Sequence, residues 1–207
     1  MQRFLRTSLS AVLTVACGAA VAGTITGSAH DFSGDSWNPG GQICITCHAP
    51  HNNLSAQGAL LWNHDITTQT FTVYSSPTFS GVAGQPQGIS KLCLSCHDGT
   101  IALDSFGGDT GSSYVHGRAL IGTDLSNDHP ISFLYSTTNE ELNPVTTAVT
   151  FADNSTGTIA DMLDSASMLQ CSSCHDVHNS RTDGSAGSKL LVVDNRRSAL
   201  CLTCHQK

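Results

Sequence analysis

The sequence is poor in charge and in aromatic rings. Only 12% of its residues are charged and 6% aromatic, against about a quarter charged in ordinary soluble domains. Nine Lys and Arg against sixteen Asp and Glu give a formal net charge of −7. That excludes a basic footprint for nucleic acid. The charge is also too sparse for a chain kept disordered by self-repulsion. Glutamate occurs only at Glu140 and Glu141, which read as an exposed charge pair. No apolar run reaches the length of a membrane helix. A conventional hydrophobic core is therefore thinly supplied. What the 207 residues do hold in excess is 9 Cys and 10 His.

The N-terminal segment reads as a secretion signal. Arg3 and Arg6 form a positive start, Leu9 to Val21 an apolar stretch, and Ala20-Val21-Ala22 a small-residue cleavage site. The mature chain is then expected to run from 23 to 207, outside the cytoplasm. Cys17 lies in the signal. A lipidated cysteine would need an aliphatic residue three positions before it, whereas Leu13 stands four before. Cys17 is accordingly read as a small apolar residue of the discarded segment.

The other eight cysteines fall into four copies of one pattern: Cys44-Ile-Thr-Cys47-His48, Cys93-Leu-Ser-Cys96-His97, Cys171-Ser-Ser-Cys174-His175 and Cys201-Leu-Thr-Cys204-His205. C-x-x-C-H is the attachment motif of c-type haem. Two thiols three positions apart share one face of a helical turn and can bond both vinyl groups of a porphyrin edge. The adjacent His then becomes the proximal iron ligand. Four disulfides, two zinc ribbons or a redox C-x-x-C pair would also use such cysteines. None needs His after every second Cys. At ordinary His abundance, four in four has odds on the order of one in a million. The expected cofactor is four covalent haems c, on Cys44, Cys47, Cys93, Cys96, Cys171, Cys174, Cys201 and Cys204, with proximal ligands His48, His97, His175 and His205.

The motifs alternate in type. The first and third read C-x-x-C-H-x-x-H-N, ending at His51-Asn52 and His178-Asn179. The second and fourth read S-x-L-C-L-[ST]-C-H. This is a duplicated two-haem unit, with pairs at about 23–105 and 165–207, and such repeats tend to stack. The expected fold is a multihaem cytochrome c with little regular secondary structure: short helices at the motifs and a few short strands packed around four haems. Strands are expected at Ile66–Tyr74, Ile131–Tyr135 and Val145–Phe151, and a short helix at Ile159–Leu169. Gly107–Gly111 and Arg181–Gly187 read as loops. The haem-free stretch between His97 and Cys171 reads as a loop-rich linker or a partner-facing surface.

Six histidines lie outside the motifs. His51 and His178 are too close to their own proximal His to reach the far face of the same haem, but each can reach a neighbouring one. His30, His64 and His129 each adjoin Asp or Asn and complete five distal candidates for four irons. His116, in a flexible stretch, reads as a surface residue. Six-coordinate iron leaves no open position for substrate, which argues for electron transfer and against an enzyme. No C-x-x-C-K variant motif is present.

Several linking phrases carry a resemblance. They are Gly23-Thr24-Ile25-Thr26-Gly27-Ser28 with His30-Asp31, Leu61-Trp62-Asn63-His64, Ser90-Lys91-Leu92 through Asp98-Gly99, Asn127-Asp128-His129-Pro130, and the C-x-x-C-H-D-V-H-N to L-C-L-T-C-H ending. With the motif order, they make the mature chain similar to OmcE-like outer-surface tetrahaem cytochromes, the extracellular nanowire family. The resemblance implies bis-histidine haems continuous through a filament, in stacked and T-shaped pairs. It implies copies of the chain as head-to-tail partners, with one distal His donated by the neighbour. His30, on a terminal segment, is the first candidate for that ligand. It also implies a cell-surface or extracellular site, with redox proteins or external acceptors as electron partners. The alternative is a monomeric periplasmic or surface-bound tetrahaem carrier. Such shuttles usually bear a charged steering patch, and none stands out here.

Overall fold

The computed structural model describes residues 25–51, 61–181 and 189–206. The signal segment with Cys17, the phrase at Gly23-Thr24, Asn52 and most of the Arg181–Gly187 loop lie outside the described residues.

Regular structure is sparse. Helix α1 spans Gly88–His97 and helix α2 spans Ala199–Cys204. Four strands of two or three residues form two antiparallel pairs. Strand β1 (Phe133–Leu134) pairs with β4 (Met168–Leu169), and β2 (Ala148–Thr150) with β3 (Thr156–Thr158). The remainder is turn and extended chain, much of it capped by Asp or Ser side chains.

The two type-two motifs are the two helical ones. The residue between Leu and the second Cys is Ser95 in one and Thr203 in the other. Each hydroxyl donates to a carbonyl four residues back, Ser95 to Lys91 at 2.9 Å and Thr203 to Ala199 at 2.9 Å. Such back-bonding is satisfied inside a helical turn. The type-one motifs form only a tight turn, with His48 N–H on Cys44 O at 2.8 Å and His175 N–H on Cys171 O at 3.0 Å.

The type-one motifs share a second feature that their motif spacing does not disclose. Ala49 N–H donates to Leu61 O and Asn63 N–H to Cys47 O, both at 2.9 Å. Asp176 N–H donates to Leu190 O at 2.8 Å and Val192 N–H to Cys174 O at 2.9 Å. His48 thus bridges Trp62, and His175 bridges Leu191, in the same antiparallel sense. Leu61 and Leu190 both sit at φ 57°, in the left-handed region. A returning segment clamps each type-one motif in the same way, so the duplication extends into the backbone.

The apolar core lies in the stretch expected to be a linker. Tyr135, Val149, Phe151, Ile159, Met162 and Leu169 are buried together with Val192 and Val193. Val193 and Val192 come from the segment that clamps the third motif, so the core supports that clamp. A smaller cluster joins Phe71, Leu94 of α1 and Leu125.

Three expectations for secondary structure change. Ile66–Tyr74 makes no strand. The Gln85 amide stands in for a partner strand, accepting from Phe71 N–H and donating to Phe71 O, both at 2.8 Å. Ile159–Leu169 makes no α-helix: a 3-10 turn at Ile159–Met162 ends before β4. The Asp164 carboxylate there binds Ala166 N–H and Met168 N–H, both at 2.9 Å, which favours a turn over helix continuation. The strands at Ile131–Tyr135 and Val145–Phe151 shrink to β1 and β2. Ile159 is 0% exposed. Ile159→Ala should lower the unfolding free energy by about 2–5 kcal/mol, read by chemical denaturation of the haem-loaded protein.

Candidate functional site

The eight motif cysteines are unbridged thiols. Their sulfurs are not equivalent. Burial pushes Cys47 and Cys174 up to about 11 and Cys96 up to about 12. Cys171 moves the other way, to about 7, chiefly because the Cys93 thiol hydrogen-bonds to it. The same contact raises Cys93. The Cys93 thiol of the second motif and the Cys171 thiol of the third are therefore neighbours. Among the described residues no group of three or more His, Cys, Asp or Glu is placed to hold a bare metal ion. The C-x-x-C pairs do not converge into a zinc site, which would need about four such ligands.

The histidines form pairs instead. The His97 ring centroid is 6.0 Å from that of His30, His48 is 6.1 Å from His178, and His205 is 6.3 Å from His129. Each pair joins one motif histidine to one non-motif histidine. Two imidazoles on one metal, with metal–nitrogen bonds of about 2 Å, hold their centroids roughly 6 Å apart. The ring planes stand 59°, 23° and 70° apart. The separation would accommodate one metal atom between two imidazoles, and His30 and His48 stand as far from Phe32 and Trp62, at 6.1 and 6.2 Å.

The orientation of individual rings agrees. An axial ligand commonly donates its Nδ1–H to a carbonyl and keeps Nε2 for the metal. His97 Nδ1 lies 2.7 Å from Ala119 O, His175 Nδ1 3.0 Å from Lys189 O, and His129 Nδ1 2.9 Å from Pro130 O. His30 is pushed down to about 4, first by burial and then by His97 and His175. It is neutral at pH 7 and offers a lone pair. A cleft beside the first motif is lined by Cys44, Ile45, His48, His51 and Asn63. These residues fit covalent haem: paired thiols, a proximal imidazole, and a second imidazole at iron-bridging distance in three of four cases.

The other candidates sit differently. His64 is 1% exposed. Its Nδ1 lies 2.8 Å from Asp65 O and its Nε2 2.9 Å from Ala102 O, with Cys96 Sγ 3.5 Å from Nε2. Its one N–H in the neutral ring donates to one of these two carbonyls. His51 is exposed, and so is His116, whose Nδ1 lies 3.2 Å from Tyr114 O. Among the described residues His175 has no second imidazole paired with it. His30 lies within electrostatic range of His175, but its ring pairs with His97 of the same chain.

Sequence reading passed over Asp176. Its carboxylate accepts from the Ser180 hydroxyl at 2.5 Å, from Ser180 N–H at 2.7 Å, from Arg181 N–H at 2.9 Å and from His178 N–H at 3.0 Å. Asp176 thereby anchors the loop that carries His178 to His48. The aspartate immediately after a haem motif, followed by Ser180, was the available signal.

Residues 165–207 match the family model of the doubled CXXCH motif. No curated protein matches the chain. The match covers the third and fourth motifs and marks them as a paired CXXCH arrangement, the attachment pattern of c-type haem. Among the described residues no helix is long and apolar enough to cross a membrane.

Two predictions follow from these pairs. His30→Ala, His178→Ala and His129→Ala should each convert one haem from low-spin to high-spin, whereas His116→Ala should convert none. Electron paramagnetic resonance of the ferric protein reads the difference. Asp176→Ala should loosen the His178 loop and lower the thermal midpoint at neutral pH. Burial would raise the Asp176 carboxyl, but its donors, led by the Ser180 hydroxyl, hold it below the usual 3.8. A lowered folded-state value means the stabilisation is complete above about pH 3.8 and lost as pH falls through the folded value. The gap between variant and wild type should close over that range.

Proposed function

We propose that the chain is an electron-transfer protein with four covalent, bis-histidine haems, and that it is the subunit of an extracellular filament that passes electrons to external acceptors. It acts as a carrier and not as an enzyme. Bound c-type haem supplies a one-electron couple at each iron. The chain's part is to fix two imidazoles at each site, so that little rearranges when charge moves. His48 with His178, His97 with His30, and His205 with His129 are suited to that role.

The observation that carries the filament reading is the unmatched His175. Three motif histidines have partners in their own chain, and the fourth has none among the described residues. His51 is an exposed histidine in the same C-x-x-C-H-x-x-H context as His178, and His178 reaches across to the other type-one motif. We assign His51 the fourth distal position, reaching His175 of a neighbouring copy. This replaces His30, which is engaged within its own chain. A ligand shared in one direction makes a head-to-tail contact, and such contacts propagate when they do not close.

The test is electron microscopy of the native protein from the extracellular fraction, with mass spectrometry on the same sample. Filaments whose subunit mass equals residues 23–207 plus four haems are expected. His51→Ala should give haem-loaded monomers with one high-spin haem. Wild-type protein found only as periplasmic monomers would favour the soluble carrier.

A further inference from the structure

Helix α1, which carries the second motif, and the turn at Cys171–Ser173, which opens the third, are joined by a buried polar cluster centred on Gln170. Gln170 is 1% exposed, Ser90 0% and Ser132 2%. The Gln170 Oε1 accepts from the Ser90 hydroxyl at 2.5 Å and from the Ser132 hydroxyl at 2.9 Å. Its Nε2 donates to Asp164 Oδ2 at 2.9 Å. The Ser90 oxygen in turn accepts from Cys171 N–H at 3.0 Å, and the Ser132 oxygen from Gln87 N–H at 3.1 Å.

The cluster is closed. Each hydroxyl spends its one proton on Gln170 and its lone pair on a backbone N–H. One of those N–H groups belongs to Cys171 itself, and the hydroxyl that receives it sits one turn before Cys93. The chain spans from Ser90 to Gln170 without a covalent tie, so this cluster is what sets the distance between the two attachment segments. At its edge α1, which carries Cys93, packs against the turn that begins at Cys171. A buried network with every member satisfied specifies one arrangement, whereas apolar packing alone tolerates sliding.

We infer that Gln170, Ser90 and Ser132 are positioning residues that lock the second and third haem-attachment sites edge to edge, and so fix the electron-transfer contact between the two halves of the duplicated chain. The inference rests on haem attachment at both motifs. None of the three is a motif cysteine or a candidate axial histidine. They act through the backbone of Cys171 and the helix that bears Cys93. The distance between redox centres controls transfer between them far more steeply than it controls the stability of either site.

Gln170→Glu tests this in the haem-loaded full chain. The carboxylate still accepts from Ser90 and Ser132, but it faces the Asp164 carboxylate without a proton to donate. Asp164→Asn in the Gln170→Glu background restores that bond with donor and acceptor exchanged. The readout is the bisignate Soret circular dichroism of coupled haems, at constant haem content by mass spectrometry. Gln170→Glu should lose part of the signal with four haems still bound, and the double variant should regain it. Ser90→Ala should repeat the loss, and it serves as the test if Gln170→Glu yields no folded protein. Wild-type signal in Gln170→Glu and Ser90→Ala, or a double variant no better than Gln170→Glu, overturns the inference. A wild-type mass without haem would instead overturn the haem reading beneath it.

Discussion

Two imidazoles held about 6 Å apart, one in a motif and one far away in the chain, form the constraint on which the rest of this structure depends. A proximal histidine comes with its cysteines, because covalent attachment is local. A distal one must be brought in. Each of the three closed pairs pulls a remote segment against a motif: the mature N-terminal region with His30, the Asn127–Pro130 phrase with His129, and the second type-one loop with His178. Most of the tertiary fold can be read as what is needed to deliver these rings.

That delivery explains why so little of the chain is regular. Loops, including those that carry the paired histidines, are secured by side chains in place of ladders. Asp176 gathers four donors around the His178 loop, Asp31 holds Ser33 beside His30, and Asp104 binds the Ser112 and Ser113 amides. Short polar caps fix backbone at low apolar cost. They suit a chain with few aromatics, in which bound porphyrin would supply much of the buried apolar surface. The larger hydrophobic core among the described residues is built mostly from the stretch between the two motif pairs and backs the segment that clamps the third motif.

The two halves are repeated but not independent. The clamps at Leu61–Asn63 and Leu190–Val192 are copies of one backbone device, and the Ser95 and Thr203 back-bonds are copies of another. Contacts between the halves are asymmetric. They include His178 against His48 and the Gln170 cluster beneath Cys93 and Cys171. A duplicated unit gains a continuous redox path only through such unrepeated contacts, since each copy alone ends where its own motifs end.

The C-x-x-C-H motifs, their alternation in type and the scarcity of regular structure were all legible in the sequence. Each follows from spacing along the chain or from composition, and neither needs a fold to be expressed. The choice among distal histidines was not. His30, His51, His64, His129 and His178 look equally suitable as neighbours of Asp, Asn or a motif. Tertiary structure places them differently: His64 is buried beside two backbone carbonyls, His30 faces His97, and His51 stays exposed. The role of the haem-free stretch was likewise decided only in three dimensions, because its apolar residues are scattered singly and become a core only when Val192 and Val193 fold back onto them. Covalent chemistry is written locally, whereas ligation and packing join residues whose separation in sequence carries no signal.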